Sequence, residues 1–333
     1  MNILAIADAF IPLDMLIEGT RELHEAGHAI TYVGWESESI EKLQEVNLAV
    51  EQHGPNGVEL PADIIAKAAE AEVIITQFAP IGASVINNSP NLKVVGVLRG
   101  GTENVDAEAA KAKGVQVVNT GGRNARAVAE FTVGMILAET RNIARTHAAM
   151  MNHVWLKDFP NSDNIWELEG RTVGLIGAGN IGQLVMRFLQ GMDMNCQFYD
   201  PYLESSEYGT KVDTLEELVS TSDVVSLHSR LTADNHHLVD EKLLNLMKPN
   251  AVLVNTARSG LIDEEALLSA LREGKIMGAA IDTFDEEPLA ADSEWMSLPN
   301  VTITSHLAGS TRDAFAKTPK LLSAKLLELL AKD

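Results

Sequence analysis

The sequence predicts an α/β protein built from two doubly wound domains. Short apolar runs alternate with helical stretches along the chain, which is the pattern of βα units. A glycine-rich turn falls in the second half, at residues 177–182, and a long helical stretch at 124–149 divides the alternation in two. With 333 residues, of which 46% are apolar, the chain can fill a core in each domain.

The first alternation precedes the glycine turn. Its apolar runs predict strands at 2–7, 29–33, 72–76, 92–98 and 115–118, and its helical stretches include 13–26, 62–70 and 106–113. We therefore expect a complete first domain before the turn.

The second alternation follows the long helical stretch. It predicts strands at 171–177, 195–200, 223–228, 251–256, 275–282 and 300–306, with helices near 180–190, 240–247 and 263–272. Helix starts at 310–311 and 318–319 then lead into an amphipathic tail, which we expect to return to the first domain. The predicted domains are residues 1–121 plus 307–333, and residues 122–306.

The glycine turn predicts a dinucleotide site. Gly177 allows the tight turn, Gly179 lets the backbone approach a pyrophosphate, and Gly182 lets the helix pack closely on its strand. The helix begins at Asn180 and Ile181, whose region presents backbone N–H groups to phosphates. An ordinary strand-to-helix loop is the alternative, and the flanking strand, amphipathic helix and second strand argue against it.

Asp200 ends that second strand, 23 residues after Gly177. A carboxylate at this spacing accepts hydrogen bonds from the adenosine ribose and repels a 2′-phosphate, so the expected cofactor is NAD rather than NADP. The competing interpretation is a turn acid before Pro201.

Composition narrows the partners and the compartment. The formal net charge of −21 argues against nucleic acid and against an acidic membrane surface. The single cysteine, Cys196, lies in an apparent buried strand and leaves no disulfide framework or thiolate metal cluster, so no metal is expected. Without a basic signal-like start or an apolar run of about 20 residues, a cytoplasmic protein is expected.

Polar residues end the strands of the second domain. The carboxyl ends of parallel strands meet at one edge of a doubly wound sheet, where ligands bind. A single such residue is usually a turn or a cap, but a series beside a pyrophosphate site predicts a functional crevice. The series is Asp200, His228, the run Thr256, Ala257 and Arg258, then Asp282 and His306.

Three of the polar side chains suit hydride transfer to a 2-oxo acid or the reverse reaction. Arg258 offers a planar fork to a carboxylate and a carbonyl oxygen. His306 can donate the proton to the developing alkoxide, and Glu287 beside it would raise the pKa of that histidine. A surface ion pair and a core or turn histidine are the competing interpretations, which the cofactor motif disfavours.

Three motifs in the second half resemble the D-isomer-specific 2-hydroxyacid dehydrogenases: VNTARSG at 254–260, GAAIDTFDEEP at 278–288 and SHLAGST at 305–311. RGGTENVD at 99–106 and NARAVAEF at 124–131 extend the resemblance over essentially the whole chain. Within the family, the motifs are most similar to the phosphoglycerate dehydrogenases and the hydroxypyruvate/glyoxylate reductases.

The resemblance implies two Rossmann-like domains, a flavodoxin-like substrate domain and a doubly wound NAD-binding domain, with a cleft between them. It implies a homodimer joined through the NAD-binding domains and a small 2-hydroxy or 2-oxo acid as substrate. It also implies that Arg258, Glu287 and His306 are catalytic and that Asp282 binds the nicotinamide carboxamide.

Other roles also come from the resemblance alone. It assigns backbone amides around Arg99, Gly100 and Gly101 to the substrate carboxylate. It assigns residues around His228, Thr256 and Ala257 to the cofactor.

Departures from the family pattern leave the substrate open between a phosphoglycerate type and a hydroxypyruvate/glyoxylate type. The loop at 77–82 lacks the base that phosphoglycerate enzymes often carry there, and Arg230 adds a charge near the cofactor edge. Glycine replaces a common proline in the segment 119–123. Candidates to bind a phosphate or second carboxylate are Arg99, Arg123, Arg126 and Lys157, and surface charge is the alternative for them.

Two other functions share this fold. The NAD-sensing corepressors called C-terminal binding proteins carry the same triad, but this sequence has no tail resembling a disordered interaction segment. Formate dehydrogenases resemble it too, but they have glutamine where this chain has Glu287.

Overall fold

The computed structural model describes residues 1–35 and 39–331, so the last two residues of the predicted tail lie outside it. The chain forms two compact units. Unit 1 comprises Met1–Asn124 and the segment from Thr311 onward, and unit 2 comprises Ala125–Ser310. The predicted domain boundaries fall three residues before the start of unit 2 and four before its end.

Unit 1 is built on a parallel sheet of five strands. The strands are β1 (Asn2–Ala7), β2 (Ala29–Gly34), β3 (Val73–Thr76), β4 (Val94–Val97) and β5 (Gln116–Asn119). Their order is β2-β1-β3-β4-β5, which is the flavodoxin-like order that was predicted. β3 and β4 are buried along their whole length, as expected for inner strands of a sheet covered on both faces.

Six helices connect these strands: α1 (Leu13–Gly19), α2 (Arg21–Glu25), α3 (Ile40–His53), α4 (Ala62–Ala68), α5 (Ala83–Asn88) and α6 (Ala107–Lys113). The single helix predicted at 13–26 is two helices, because Thr20 leaves the helical conformation and its hydroxyl bonds to the Leu16 carbonyl oxygen at 2.7 Å. The sequence analysis named no helix at the positions of α3 and α5.

Unit 2 is built on a parallel sheet of seven strands: β6 (Thr172–Ile176), β7 (Asn195–Tyr199), β8 (Thr210–Lys211), β9 (Val224–Leu227), β10 (Val252–Asn255), β11 (Gly278–Ile281) and β12 (Val301–Ile303). The order β12-β11-β10-β9-β6-β7-β8 is the Rossmann order with one added edge strand, so the predicted α/β class is confirmed in both units.

The helices of unit 2 are α7 (Ala125–Thr140), α8 (Ile143–Met151), α9 (Asn180–Gln190), α10 (Leu215–Thr221), α11 (Glu241–Leu246) and α12 (Glu264–Arg272). The prediction of one helix over 124–149 was wrong. Asn142 has a φ of 56° and its side-chain amide bonds to Asn161 Oδ1 at 2.7 Å, which breaks the stretch into α7 and α8.

The chain ends on α13 (Arg312–Leu330), which belongs to unit 1. The Thr311 hydroxyl caps its start by accepting a hydrogen bond from the Ala314 amide. Pro319 lies inside α13, so the second helix start predicted at 318–319 was wrong. Leu322 and Leu326 are fully buried in the same apolar cluster as strand β1. Within the described ranges no helix is long and apolar enough to cross a membrane.

Candidate functional site

The functional residues predicted for unit 2 lie where its parallel strands end. The strand order reverses between β6 and β9, and a ligand of a doubly wound sheet binds at the carboxyl ends on either side of such a switch point. The glycine turn follows β6 and His228 follows β9. The sequence therefore brings its strongest motif to the position where the topology favours a ligand.

Two glycines of the turn are required by backbone conformation or close packing, and the third leaves open space. Gly177 has a φ of +95°, and a Cβ there would lie 2.7 Å from the Ser229 amide nitrogen. A Cβ on Gly182 would lie 2.5 Å from the Gly177 carbonyl oxygen, so this glycine permits the close packing of α9 on the turn. Around Gly179, by contrast, a Cβ would have no heavy atom of the described residues within 4 Å apart from its own chain neighbours. This leaves the Gly179 backbone open to a phosphate.

Asn180 and Ile181 form the first turn of α9, an eleven-residue helix whose N-terminal amides favour an anion. These residues fit the pyrophosphate of a dinucleotide.

Asp200 ties the glycine turn to the end of β7. Its Oδ2 accepts a hydrogen bond from the Ala178 amide at 2.8 Å, and its Oδ1 accepts hydrogen bonds from the Tyr202 and Leu203 amides at 2.8 and 3.1 Å. Asp200 therefore ends its strand, as the cofactor interpretation expects, and also stabilises the turn around Pro201, as the competing interpretation expects. Its role toward a ribose stays a prediction.

His228 is held neutral at the end of β9. Its Nε2 lies 2.9 Å from the Ser226 hydroxyl, and burial lowers its pKa to about 3. A neutral imidazole can donate and accept, but it carries no charge toward a cofactor at physiological pH.

Thr256 and Ala257 lie in the turn after β10. The Thr256 hydroxyl is buried and pairs with the Thr132 hydroxyl of α7 at 2.8 Å. Asn255 braces the turn: its Oδ1 accepts from the Ala257 amide at 3.0 Å and its Nδ2 donates to the Arg258 carbonyl at 2.9 Å. The sequence reading missed Asn255, although an asparagine at a strand end is a signal for such a turn.

His306 and Glu287 form a direct pair. His306 Nδ1 lies 2.9 Å from Glu287 Oε2, while Glu287 Oε1 accepts from the Phe284 amide at 2.9 Å. The hydrogen bond to Glu287 raises the pKa of His306 above its ordinary value, although burial opposes the rise. Burial alone would raise the pKa of Glu287, but the bonds from His306 and Phe284 outweigh it and the pKa of Glu287 is lowered.

The imidazole of His306 stays accessible despite this bond, because its side chain is 49% exposed. Arg258 is exposed as well, and its Nη1 donates to the Ala257 carbonyl at 2.7 Å. Its charge lowers the pKa values of both Glu287 and His306, so the three residues form one electrostatic group. The structure brings together the three residues that the sequence predicted to be catalytic.

The Asp282 side chain stabilises the loop that carries His306. Its side chain is fully buried; Oδ1 accepts from the Thr304 hydroxyl and the Leu307 amide, and Oδ2 accepts from the Ala308 amide, the last two at 2.9 Å. These bonds flank His306, whose φ of 54° lies in the left-handed region that non-glycine residues seldom adopt. Asp282 therefore fixes the backbone that presents His306, and its predicted contact with the nicotinamide carboxamide stays a prediction.

The residues predicted to bind the substrate carboxylate lie in unit 1, after β4. The Arg99 side chain is bonded within unit 1: its Nη1 donates to Asn47 Oδ1 at 2.5 Å and its Nη2 lies 3.4 Å from Glu103 Oε2. The Gly100 carbonyl accepts from Asn119 Nδ2 at 2.5 Å, which ties the loop of Gly100 and Gly101 to β5.

The other basic candidates differ in exposure. Arg126, Lys157 and Arg230 are exposed, and Arg126 pairs with Glu130 at 2.7 Å, as a surface charge does. Arg123 is half-buried in unit 1.

Cys196 is half-buried in β7 rather than fully buried, and burial raises the pKa of its thiol to about 11, so it is not a reactive thiolate. No group of three or more His, Cys, Asp or Glu side chains within the described part of the chain is arranged to hold a metal ion.

Most of unit 2 matches a known protein family. Residues 133–308, more than half of the chain, match the family described as "D-isomer specific 2-hydroxyacid dehydrogenase, NAD binding domain". The chain is similar to the D-3-phosphoglycerate dehydrogenase of Methanocaldococcus jannaschii, with 37% identity over 80% of this chain. That match spans about half, 51%, of the relative's length.

Two further similarities span nearly the whole of both proteins. The glyoxylate reductase of Thermococcus litoralis is 33% identical over 86% of this chain and 88% of its own. The solved structure of a D-2-hydroxyisocaproate dehydrogenase superposes with a TM-score of 0.78 at 26% identity, covering 100% of this chain and 97% of that one.

Proposed function

This chain belongs to the D-isomer specific 2-hydroxyacid dehydrogenase family, whose matched domain binds NAD, and we propose that it interconverts a small D-2-hydroxy acid and the corresponding 2-oxo acid. The observation that carries the proposal is the His306–Glu287 pair at 2.9 Å, which lies with Arg258 beside a glycine turn fitted to a dinucleotide. The comparisons reported above are with enzymes, and they give no support to the corepressor alternative.

NAD, when bound, supplies or accepts a hydride at C2 of the substrate. Gly177, Gly179 and Gly182 with the first turn of α9 would hold its pyrophosphate, and Asp200 would accept hydrogen bonds from the adenosine ribose. His228, Thr256, Ala257 and Asp282 contribute the remaining contacts at the strand ends.

His306 moves the proton. A carboxylate only accepts, so Nδ1 carries the proton of the bond to Glu287 and Nε2 remains to face the substrate. In reduction, Nε2 gives its proton to the carbonyl oxygen as C2 gains a hydride, and the product is the hydroxyl group. In oxidation, neutral Nε2 takes that proton back.

Arg258 binds and polarises the substrate. Its guanidinium is charged at every working pH and presents parallel N–H groups to a carboxylate and to the carbonyl oxygen. The backbone amides around Arg99, Gly100 and Gly101 bind the substrate carboxylate. The assay that tests the reaction also distinguishes the two proposed substrate types, phosphoglycerate and hydroxypyruvate/glyoxylate.

The test is NADH oxidation with hydroxypyruvate, glyoxylate and phosphohydroxypyruvate, with NADPH in parallel. We expect turnover with NADH to exceed turnover with NADPH. Lack of turnover on a broad panel of 2-oxo acids would falsify the proposed activity.

We also propose that the protein is a homodimer and that unit 2 provides the interface. In support, α8 and the segment after it expose large apolar side chains, among them Met151 at 67% and Trp155 at 75%. Light scattering should give twice the mass of 36.0 kDa, and Trp155→Glu should lower it; a monomeric wild type would disprove the dimer. We propose a cytoplasmic location from the single cysteine, to be checked by cell fractionation.

A further inference from the structure

Arg230 is a charged residue at the carboxyl edge of the unit 2 sheet, and the proposed function gives it no role. It lies two residues after His228, in the loop that leaves β9, and its side chain is exposed. The guanidinium makes no hydrogen bond, ion pair or ring contact with any residue in the described ranges. A cation without a protein partner beside a dinucleotide site is available to an anionic ligand.

The start of this loop lies against the glycine turn. The His228 amide donates to the Ile176 carbonyl oxygen at 2.8 Å, and the Ser229 hydroxyl donates to the same oxygen at 3.1 Å. A Cβ on Gly177 would lie 2.7 Å from the Ser229 amide nitrogen. Arg230 therefore directly follows a residue that touches the turn, on the β9 side of the switch point.

The rest of the loop holds the Arg230 backbone in place. Asn235 Nδ2 donates to the Arg230 carbonyl oxygen at 2.7 Å, and Asn235 Oδ1 accepts from the Thr232 amide, also at 2.7 Å. Leu231 Cδ2 lies 3.0 Å from the Cβ position of Gly260, so the loop also packs against the segment after β10. Because the main chain is already fixed, little of its conformational entropy is lost when the side chain binds a ligand.

The glycine turn offers amides to a pyrophosphate but no formal positive charge. Asn180 and Ile181 begin α9 without a charge, and the basic residue of that helix, Arg187, lies in its last turn. Each phosphate of the pyrophosphate carries a negative charge, and the formal net charge of the chain is −21. Helix N-terminal amides act as about half an elementary charge, so a nearby cation adds a further favourable interaction.

Dinucleotides can bring two kinds of anionic group to this edge: the pyrophosphate and, in NADP, the 2′-phosphate. Asp200 ends β7, and its carboxylate repels a phosphate at the adenosine ribose. Arg230 follows β9 instead, and β6 with its glycine turn lies between β9 and β7 in the sheet. The contacts of Ser229 with Gly177 and Ile176 therefore favour the pyrophosphate as the partner of Arg230.

From these features we infer that Arg230 binds the pyrophosphate of NAD and supplies the positive charge that the glycine turn lacks. Parallel N–H groups of a guanidinium match the oxygens of a phosphate group. Arg230 is then a cofactor-binding residue and takes no part in hydride or proton transfer. The inference rests on the proposed function, because it takes the dinucleotide to lie at the glycine turn, but it does not depend on which hydroxy acid reacts.

Equilibrium binding tests this assignment without turnover. NADH and NADPH are titrated by fluorescence, and ADP-ribose and adenosine by calorimetry; ADP-ribose contains the pyrophosphate, whereas adenosine contains no phosphate. We expect Arg230→Gln to raise the Kd for NADH and for ADP-ribose about tenfold or more, because a charge-assisted hydrogen bond is lost. The Kd for adenosine should stay within about twofold of the wild-type value, since adenosine has no group for the guanidinium to bind.

Arg230→Lys and the salt dependence separate the charge from the geometry of the guanidinium. Lysine keeps the charge but loses the parallel N–H groups, so its Kd for ADP-ribose should lie between those of the wild type and Arg230→Gln. Raising NaCl from about 0.05 M to about 0.5 M should weaken ADP-ribose binding more in the wild type than in Arg230→Gln, because salt screens an exposed ion pair. Far-UV circular dichroism checks that each variant is folded.

Arg272→Gln is the matched control, because it removes the same charge from the same unit. Arg272 is an exposed arginine at the end of α12, before the amino end of β11, and its guanidinium pairs with Glu265 and Glu294 at 2.9 and 2.8 Å. It therefore lies at the sheet edge opposite the glycine turn. Its affinities for NADH, ADP-ribose and adenosine should equal those of the wild type.

Several outcomes would overturn the inference. An equal loss of adenosine affinity in Arg230→Gln would assign the guanidinium to the base, and a loss confined to NADPH would assign it to the 2′-phosphate. Unchanged affinities in Arg230→Gln, or an equal loss in Arg272→Gln, would also refute it. The proposed function fails separately, because these titrations need no 2-oxo acid: weakened ADP-ribose binding in Arg230→Gln together with no turnover on any acid would overturn the activity and leave the inference standing.

Discussion

The two switch points of this molecule have the same topology and opposite chemistry. In unit 2 the chain leaves β6 through Gly177, Ala178 and Gly179 into an eleven-residue helix, and the turn leaves backbone amides for the proposed pyrophosphate. In unit 1 it leaves β1 through Asp8 and Ala9 toward a seven-residue helix, and the side chains that follow β1 and β3, Asp8 and Gln77, are buried. A doubly wound sheet thus fixes where a ligand binds, and the residues after two strands decide which ligand.

The acids at the two points differ in the same way. Asp200 has both oxygens bonded to amides of its own loop and of the glycine turn, so it holds the unit together. Asp8 Oδ1 accepts from the Phe10 and Ile11 amides, but Oδ2 makes no hydrogen bond within 3.5 Å among the described residues, so the burial of this carboxylate is less well compensated.

The largest expected effect concerns where the chemistry takes place. His306→Gln removes the proton donor from unit 2, and kcat should fall by about 100- to 10,000-fold because general acid–base catalysis is lost. The NADH affinity, measured by fluorescence titration, should stay within about twofold, since His306 belongs to the proton path and not to the glycine turn.

His24→Gln serves as the control for His306→Gln, because His24 is an exposed histidine on α2 of unit 1 and takes no part in the proposed site. Equal losses of NADH affinity and kcat in His306→Gln would contradict the assignment of His306 as a proton donor that takes no part in NADH binding.

The next largest effects concern stability, on which substitutions of Asp8 and Asp200 should act in opposite directions. Burial raises the pKa of Asp8 from 3.8 to about 6, and the amides of Ile11, Phe10 and Phe78 with Arg123 only partly oppose the rise. Because the folded pKa is above the unfolded one, the protein loses stability as pH rises from about 4 to about 6, and by at most about 3 kcal/mol. Asp8→Asn should therefore be more stable than the wild type at pH 8 and lose that advantage at pH 4.

Asp200→Asn should act in the opposite direction. An amide nitrogen facing the Ala178 amide cannot accept its hydrogen bond, and the cost should be about 1–3 kcal/mol at pH 8. Denaturant unfolding of both variants at pH 4 and pH 8 makes the comparison. If Asp8→Asn destabilises as Asp200→Asn does, the carboxylate of Asp8 is a structural group like its counterpart.

The sequence identified much of unit 2 because its signals are local. A glycine turn, a strand-end acid and motifs around Arg258, Glu287 and His306 are each contained in a few residues, and the parallel sheet then brings them together. The split of 124–149 at Asn142 was missed because the bond to Asn161 that fixes it joins two residues far apart in sequence.

The same reason explains why the unpaired buried atoms of Asp8 and Gln77 were not predicted. Asp8 after a strand has the appearance of a turn acid, and Gln77 carries no charge. Asp8 and Gln77 become neighbours because β1 pairs with β3, and this pairing cannot be seen in the sequence. Their burial and their hydrogen bonds are likewise visible only in the folded chain. Asp282 was expected to touch the cofactor, and its three bonds to the loop of His306 could not be read from spacing alone.

The smallest effect tests whether Glu287 tunes the proton donor of unit 2. Its hydrogen bond raises the pKa of His306, so reduction, which needs protonated His306, persists to higher pH than an isolated histidine would allow. Glu287→Gln removes that charge, and the alkaline limb of kcat for reduction should move to lower pH. The acid limb for oxidation, which needs neutral His306, should move in the same direction. Glu286→Gln changes an exposed neighbouring carboxylate and should leave both limbs in place. Limbs that stay fixed in Glu287→Gln, or that move to higher pH, would show that the pair at 2.9 Å positions the imidazole without setting its acidity.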